Sequence, residues 1–166
     1  MRPYFATAAQ NVAVRISAKS DYAVRAAVVL AVQNSEGPVR AEAIAHSQEI
    51  PLKFLLNILS ELKRSRIVTS QRGPQGGYRL ARPAADITVA DVIRAMEGPL
   101  ASVHEILPED ISYPPPAESL QQVWVAVRAS LRSVLEAVTI ADLAAGSLPE
   151  PVLSLSSNPE AWSARH

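Results

Sequence analysis

Lys53, Asn57, Ser60 and Arg64 follow one another at steps of four, three and four residues, a spacing that puts all four on one face of an α-helix. Lysine and arginine neutralise phosphate, and an asparagine amide can read the edge of a base. Leu52, Leu55, Leu59 and Leu62 recur on the opposite face, with Phe54 and Glu61 flanking the polar one. Such a helix has an apolar back to lock it to a core and a polar front narrow enough for a ~12 Å major groove. Pro51 stands where a first helical residue is favoured, because its missing N–H costs nothing there. Lys53 and Asn57 therefore lie near the partly positive helix start, suited to base edges or phosphates. Taken by itself, a Lys/Asn/Ser/Arg face serves equally well as a solvated helix surface.

A second group tips that balance. Arg72-Gly-Pro-Gln-Gly-Gly-Tyr78 puts an arginine at the entrance to a tip with almost no side-chain bulk. Such a tip can approach a sugar–phosphate backbone closely, and an arginine can enter the narrow, electronegative minor groove. Arg79 and Arg82 flank it for phosphate contact. Other chemistries find no residues. The chain has no cysteine, which excludes disulfides, thiolate zinc sites, a cysteine-ligated iron–sulfur cluster and a cysteine nucleophile. His46, His104 and His166 are far apart, and His104 with Glu105, Glu109 and Asp110 reads as an exposed acidic loop rather than a metal site. The glycine-rich tip lacks the Lys-Ser/Thr of a phosphate-binding loop. We expect no enzyme, no metal and no cofactor.

The elements that must hold these groups follow from periodicity and punctuation. A helix over 17–33, with Ser17 as N-cap, places Tyr22, Ala23, Ala26, Ala27 and Leu30 at helical spacing. Gly37-Pro38 leads to a short helix over 40–47 that buries Ala41, Ile44 and Ala45, and the polar-faced helix runs from Pro51 to about Ser65. Two β-like runs, 67–72 and 77–80, enclose the Gly/Pro-rich turn as a hairpin. Thr88-Val-Ala-Asp91 resembles a capping box and opens a helix through Met96; Thr139-Ile-Ala-Asp142 repeats the pattern before Gly146. Between them, 98–116 holds five prolines and reads as irregular. A helix over 118–138 carries Leu120, Trp124, Val127, Leu131, Val134 and Val138 in alternating steps of four and three. That seam suits a partner helix, although it could also pack on its own domain. From Ser147 onward the chain is expected to be loosely ordered, with Trp162 as a local anchor.

Three helices followed by a hairpin describe a winged helix-turn-helix. The expected fold is mainly α with a small β-hairpin wing and a long C-terminal dimerisation helix. The expected units are an N-terminal extension (1–13), a DNA-binding domain (14–97), a Pro-rich acidic connection (98–117), the dimerisation helix with a short terminal helix (118–146) and a tail (147–166). The extension is read as disordered or as preceding a true start at Val14. At 166 residues the chain suffices for one ordinary domain, or for a small domain plus an assembly element. No apolar run approaches the ~18 residues that span a bilayer. Residues 1–13 also lack the apolar core of a secretory signal, so the expected location is cytoplasmic, with no membrane partner. The zero net charge conceals a division: residues 15–82 carry 11 basic and 5 acidic residues, and 83–166 carry 4 and 11. A basic first half on a neutral chain points to a polyanion-binding face.

Four stretches in this order and spacing carry a resemblance: Val14-Arg-Ile-Ser-Ala-Lys-Ser-Asp-Tyr-Ala-Val-Arg-Ala, Ile50-Pro-Leu-Lys-Phe-Leu, Arg72-Gly-Pro-Gln-Gly-Gly-Tyr-Arg-Leu-Ala and Thr139-Ile-Ala-Asp-Leu. The chain resembles the Rrf-two family of bacterial winged helix-turn-helix transcriptional regulators, which includes iron–sulfur, nitric-oxide-sensitive and cysteine-metabolism regulators. The resemblance implies a homodimer on a pseudo-palindromic operator in double-stranded DNA, acting as a repressor. It implies that Ser17 and Lys19 touch phosphate. Lys53, Phe54 and Asn57 would face the major groove, with Arg64 on the same face, and Arg72 and Gly73 would sit at the minor groove. Cluster-binding members carry cysteines in the connection before the dimer helix. This chain has none there, which places it with a cysteine-less branch and leaves the switching signal open: a small molecule near Tyr113 and Trp124, a partner protein, or abundance. The alternative is a winged-helix protein-interaction module that no longer reads DNA.

Overall fold

The structure is a computed structural model that describes residues 16–33 and 36–163. The expectations for residues 1–13, and for Val14 and Arg15, lie outside the described residues. Helix α1 (Ala18–Val32) starts where the Ser17 hydroxyl accepts a hydrogen bond from the Ser20 amide at 3.1 Å. Its inner face is Ala23, Ala26, Ala27 and Leu30, all buried. Methyl-sized side chains let other backbones come near, and α1 is the element against which much of the rest packs.

Helices α2 (Ala41–Gln48) and α3 (Leu52–Arg64) are joined by Glu49-Ile50-Pro51. Glu49 turns left-handed at φ 53° and ψ 42°, and the Ile50 amide donates back to the Ala45 carbonyl at 2.9 Å while its side chain is buried. The back of α3 is Leu55, Ile58, Leu59 and Leu62. Leu52, expected on that back, is 38% exposed instead. Ile58 completes the buried stripe, which leaves Leu52 on its margin at the first turn. Arg66 is left-handed at φ 58°, and the Ile67 amide closes the end of α3 on the Leu62 carbonyl at 2.9 Å. The chain then enters β1 (Val68–Gln71), antiparallel to β2 (Gly77–Leu80) with Val68 opposite Leu80. Those two side chains are buried, so the hairpin is rooted in the same core as α1 and α3.

The two Thr-x-x-Asp motifs form the capping boxes their sequence announces. Thr88 and Asp91 exchange two bonds of 3.1 Å at the start of α4 (Val89–Glu97). Thr139 and Asp142 do the same, at 2.8 and 3.1 Å, at the start of α6 (Ile140–Ala145), with α5 (Leu120–Leu135) between α4 and α6 in the chain. The two caps meet: the Val89 amide donates to the Val138 carbonyl at 2.9 Å, and Ile140 to Ile87 at 2.8 Å. The chain therefore returns to its starting unit, and Val138 and Ile140 are buried there. This return is why α5 stops at Leu135 rather than running to 138. After α6 the tail is not irregular: α7 (Glu150–Ser156) and a 3-10 turn over Pro159–Trp162 follow. Pro151 and Pro159 sit in first turns, where a missing amide costs nothing, so these prolines open elements rather than break them. The Trp162 indole donates to the Ser156 carbonyl at 2.6 Å.

Helix α5 is held to the rest by polar bonds. Glu136 accepts from Arg94 of α4 and, at 3.0 Å, from Arg132. Arg128 pairs with Glu109, and Gln121 donates to the Glu109 carbonyl at 3.1 Å. Hydrogen bonds from Arg94 and then Arg132 hold the Glu136 carboxyl below its ordinary value of 4.5. A carboxyl whose folded value is depressed adds stability that is complete above the unfolded value and lost as pH falls through the folded one. Glu136→Gln is therefore expected to flatten the acid limb of stability below about pH 4.5, measured by denaturant unfolding across a pH series. An unchanged acid limb would remove Glu136 as a link between α4 and α5.

Candidate nucleic-acid interface

The outer face of α3 presents Lys53, Asn57, Ser60 and Arg64, all exposed. Phe54 is 41% exposed and leans edge-on against Tyr22 of α1, ring centroids 5.8 Å apart at 85°. The Tyr22 ring carries the Arg25 guanidinium 5.3 Å from its centroid, and Arg25 also donates to Gln48 Oε1 of α2 at 3.2 Å. One aromatic–cation stack thus fixes the helix-turn-helix pair against α1.

The wing is fastened to the segment before α2. The Val39 amide donates to the Tyr78 carbonyl at 2.8 Å, and the Tyr78 amide to the Val39 carbonyl at 2.7 Å. That pairing needs a glycine next door, because a Cβ on Gly77 would meet the Val39 carbonyl oxygen at 2.5 Å. The tip turns with a bond of 2.9 Å from the Gly76 amide to the Gly73 carbonyl. It is held from the side by Arg40, whose guanidinium donates to the Pro74 carbonyl at 2.8 Å. Arg72 and Gly73 are exposed at the tip, and Arg79 faces outward on β2 opposite Thr69. Between α3, the start of α2 and the wing lies an open recess of about 400 Å³, rimmed by Arg40, Glu42, Leu56, Gln71, Arg72 and Gly73.

Apart from Arg40, which is tied to the Pro74 carbonyl, the described lysines and arginines divide into two groups. Lys19, Arg25, Arg82, Arg94, Arg128 and Arg132 each have a carboxylate partner. Among the described residues, Lys53, Lys63, Arg64, Arg66, Arg72 and Arg79 have none, and all six are exposed on α3, its cap and the wing. Of the residues singled out from sequence, the structure therefore leaves Lys53, Asn57, Arg64, Arg72, Gly73 and Arg79 open to solvent. Ser17 and Lys19 are engaged elsewhere. The Ser17 hydroxyl donates to Glu97 at 2.5 Å, and Lys19 Nζ pairs with Glu61 at 2.7 Å and donates to the Met96 carbonyl at 3.1 Å. Sequence reasoning overlooked Lys63, Arg66 and Arg40. Counting cations without a carboxylate at helical or hairpin reach would have found the first two, whereas Arg40 is tied to the wing by a tertiary contact.

The seam on α5 divides as well. Val127, Leu131 and Val134 line an apolar groove of about 700 Å³ together with Ile16, Val123 and Leu155. Leu120 is half-buried at the helix start. Trp124 donates its indole N–H to the Tyr113 hydroxyl of the connection at 2.9 Å, and Val138 lies in the chain's own core. No residue of α5 is buried.

A family model described as Rrf2, "Iron-dependent Transcriptional regulator", matches residues 16–146. The chain belongs to the Rrf2 family. It is 50% identical over 153 residues to the Mycobacterium tuberculosis (strain H37Rv) protein Rv1287, provisionally named an HTH-type transcriptional regulator, covering 92% of this chain and 95% of that one. It is 32% identical over 130 residues to the HTH-type transcriptional regulator CymR of Bacillus subtilis, covering 78% and 89%. The solved structure of CymR, described as the global cysteine regulator of B. subtilis, superposes with a TM-score of 0.67 at 34% identity, covering 80% of this chain and 97% of that one. That of T. potens IscR gives 0.64 at 32% identity, covering 92% and 93%. The Rrf2 protein described here is accordingly a DNA-binding transcriptional regulator with a winged helix-turn-helix, not an enzyme.

The family description raises iron, and the donor set does not fit a cysteine-ligated centre. The chain has no cysteine, Glu109 of the connection is occupied by Arg128, and no three His, Asp or Glu among the described residues are grouped to hold a metal ion. Among the same residues, no helix is long and apolar enough to cross a membrane.

The wing's attachment is sensitive to a single methyl group. Gly77→Ala is expected to break the Val39–Tyr78 pairing and cost about 1–3 kcal/mol, the range for forced strain at a special backbone position. Amide exchange at Tyr78 and chemical unfolding measure it. A variant with native protection at Tyr78 would show that the wing does not depend on this close approach.

Proposed function

We propose that this Rrf2 protein is a homodimeric repressor that binds a pseudo-palindromic operator, with α3 in the major groove and the wing in an adjacent minor groove. The observation that carries the reading is the set of six exposed, unpartnered cations on α3, its cap and the wing, on a chain whose other described lysine, Lys19, and five of whose six other described arginines are ion-paired. Exposed like charges repel one another unless a polyanion neutralises them, and DNA does so with release of counterions. A protein-interaction module that had lost DNA would have no use for that surplus.

In this reading Lys53, Asn57 and Arg64 face the major groove with Phe54 beside them, Arg72 and Gly73 enter the minor groove, and Arg79 meets phosphate. Ser17 and Lys19 would contact phosphate at the start of α1, with Lys19 exchanging Glu61 for the DNA backbone. The partner is a second copy, docked on the groove of Val127, Leu131 and Val134. A sixteen-residue helix with an apolar groove and no buried residue supports that partner. Occupancy of a promoter by the dimer would block polymerase. A recess of about 240 Å³ between α4, the connection and α5, bordered by Arg94, Leu100, Glu109 and Arg128, offers room for a small effector. Similarity to a global cysteine regulator extends the reading to genes of sulfur metabolism.

Binding measured against salt should fall with a log–log slope of about −0.9 per phosphate neutralised. Asn57→Ala should cost about 1–3 kcal/mol at particular base pairs, and Arg72→Ala should weaken most those sites with a narrow minor groove. Operator titrations in which both variants bind like the wild type would remove α3 and the wing from the account. Val127→Asp combined with Leu131→Asp should yield a monomer in analytical ultracentrifugation and lower operator affinity. A variant that still sediments as a dimer would overturn the proposed contact.

A further inference from the structure

Three apolar side chains of α3 remain in contact with solvent: Leu52 at 38%, Phe54 at 41% and Leu56 at 43% exposed. Two of them have neighbours that account for their position. Leu52 borders a hollow against the end of α2, with Ala45 and Ile50, and Phe54 rests on Tyr22. Leu56 lies one turn beyond Leu52, on the flank of α3 away from Phe54. It follows Lys53 by three residues, precedes Asn57, and stands on the rim of the recess between α3 and the wing, beside Gln71, Arg72 and Gly73. An uncharged leucine is thus set among the unpartnered cations at the edge of the reading face.

That placement has one favourable complement in a duplex. The major-groove edges of the bases are donors and acceptors, and their single apolar group is the 5-methyl of thymine. Pressing Leu56 against a carbonyl, an amino group or a phosphate would strip water from polar atoms without replacing it. Pressing it against a methyl removes apolar surface on both sides. We propose that Leu56 is a specificity-determining residue that reads the 5-methyl group of a thymine, one in each half of the operator. The assignment rests on the reading that α3 enters the major groove. It adds a base preference that none of the polar residues on the helix supplies.

The test replaces thymine by deoxyuridine, which removes the methyl and leaves the pairing edge intact. An operator is first selected from random duplexes by the full-length wild-type protein. Each thymine of the selected site is then exchanged singly for deoxyuridine, and affinity is measured by fluorescence anisotropy for wild type and Leu56→Ala. At one position per half-site, loss of the methyl is expected to weaken the wild type about threefold to tenfold, the scale of one buried methyl-sized contact. The same exchange should leave Leu56→Ala unaffected. The wild-type series stands without any variant, and unchanged thermal unfolding of Leu56→Ala would be expected of a side chain on the surface. Sensitivity at no position, or equal sensitivity in both proteins at every position, overturns the assignment while leaving sequence-specific binding intact. Selection that enriches no sequence overturns the reading of α3 itself and the assignment with it.

Discussion

Ala23, Ala26 and Ala27 carry one methyl each, and α3, α4, α6 and β2 all pack against the helix that bears them. The positions of α3, the wing root and the returning C-terminal segment are all referred to this one surface. A larger side chain at any of the three positions would push an element outward, because a packed interior has no spare volume to absorb it. The stack of Phe54 on Tyr22, with Arg25 above it and Gln48 beyond, then sets the rotation of the helix-turn-helix on that surface. The Val39–Tyr78 pair sets the distance of the wing. The geometry of the α3 and wing face is thus set by a small-residue helix that carries none of its exposed, unpartnered cations.

The distribution of charge follows a different logic from its total. A formally neutral chain would be unremarkable to a passing polyanion if every cation were matched. Here matching is regional. Carboxylates accompany the cations that hold elements together, as Glu136 does for Arg94 and Arg132 and Glu61 for Lys19. No carboxylate pairs with the cations where α3 and the hairpin meet solvent, although Glu42 stands on the rim of the recess between them. Exposed ion pairs contribute little to stability, so the withheld partners cost the fold little and leave a field directed from one face.

Much of this was readable in the residues. The capping boxes at Thr88 and Thr139, the back of α3 and the hairpin at Arg72–Tyr78 are local signals, fixed by side chains within a few positions of one another, and the structure forms them where expected, except that Ile58 takes the place of Leu52 in the buried stripe of α3. The less legible features depend on contacts between distant residues. Nothing local marks Lys19 as Glu61's partner, Trp124 as Tyr113's or Arg40 as the support of Pro74. Heptad-like spacing from Leu120 to Val138 could not reveal that the chain must turn after Leu135 to pair its second cap with its first. The prolines of the tail were ambiguous for another reason: the same residue opens a helix at its first turn and ends it further in.

The Arg40 guanidinium on the Pro74 carbonyl has a consequence for how selection among sequences takes place. A loop of Gly-Pro-Gln-Gly-Gly would otherwise sample many shapes in solution and settle only on contact. Buttressed from α2's threshold and stitched at Val39, it is moulded before any contact, and in the proposed complex little ordering entropy would be surrendered on association. In that complex, discrimination between one stretch of helix and another would reside in groove width and chemistry, rather than in how readily a pliant finger adapts to whatever it touches.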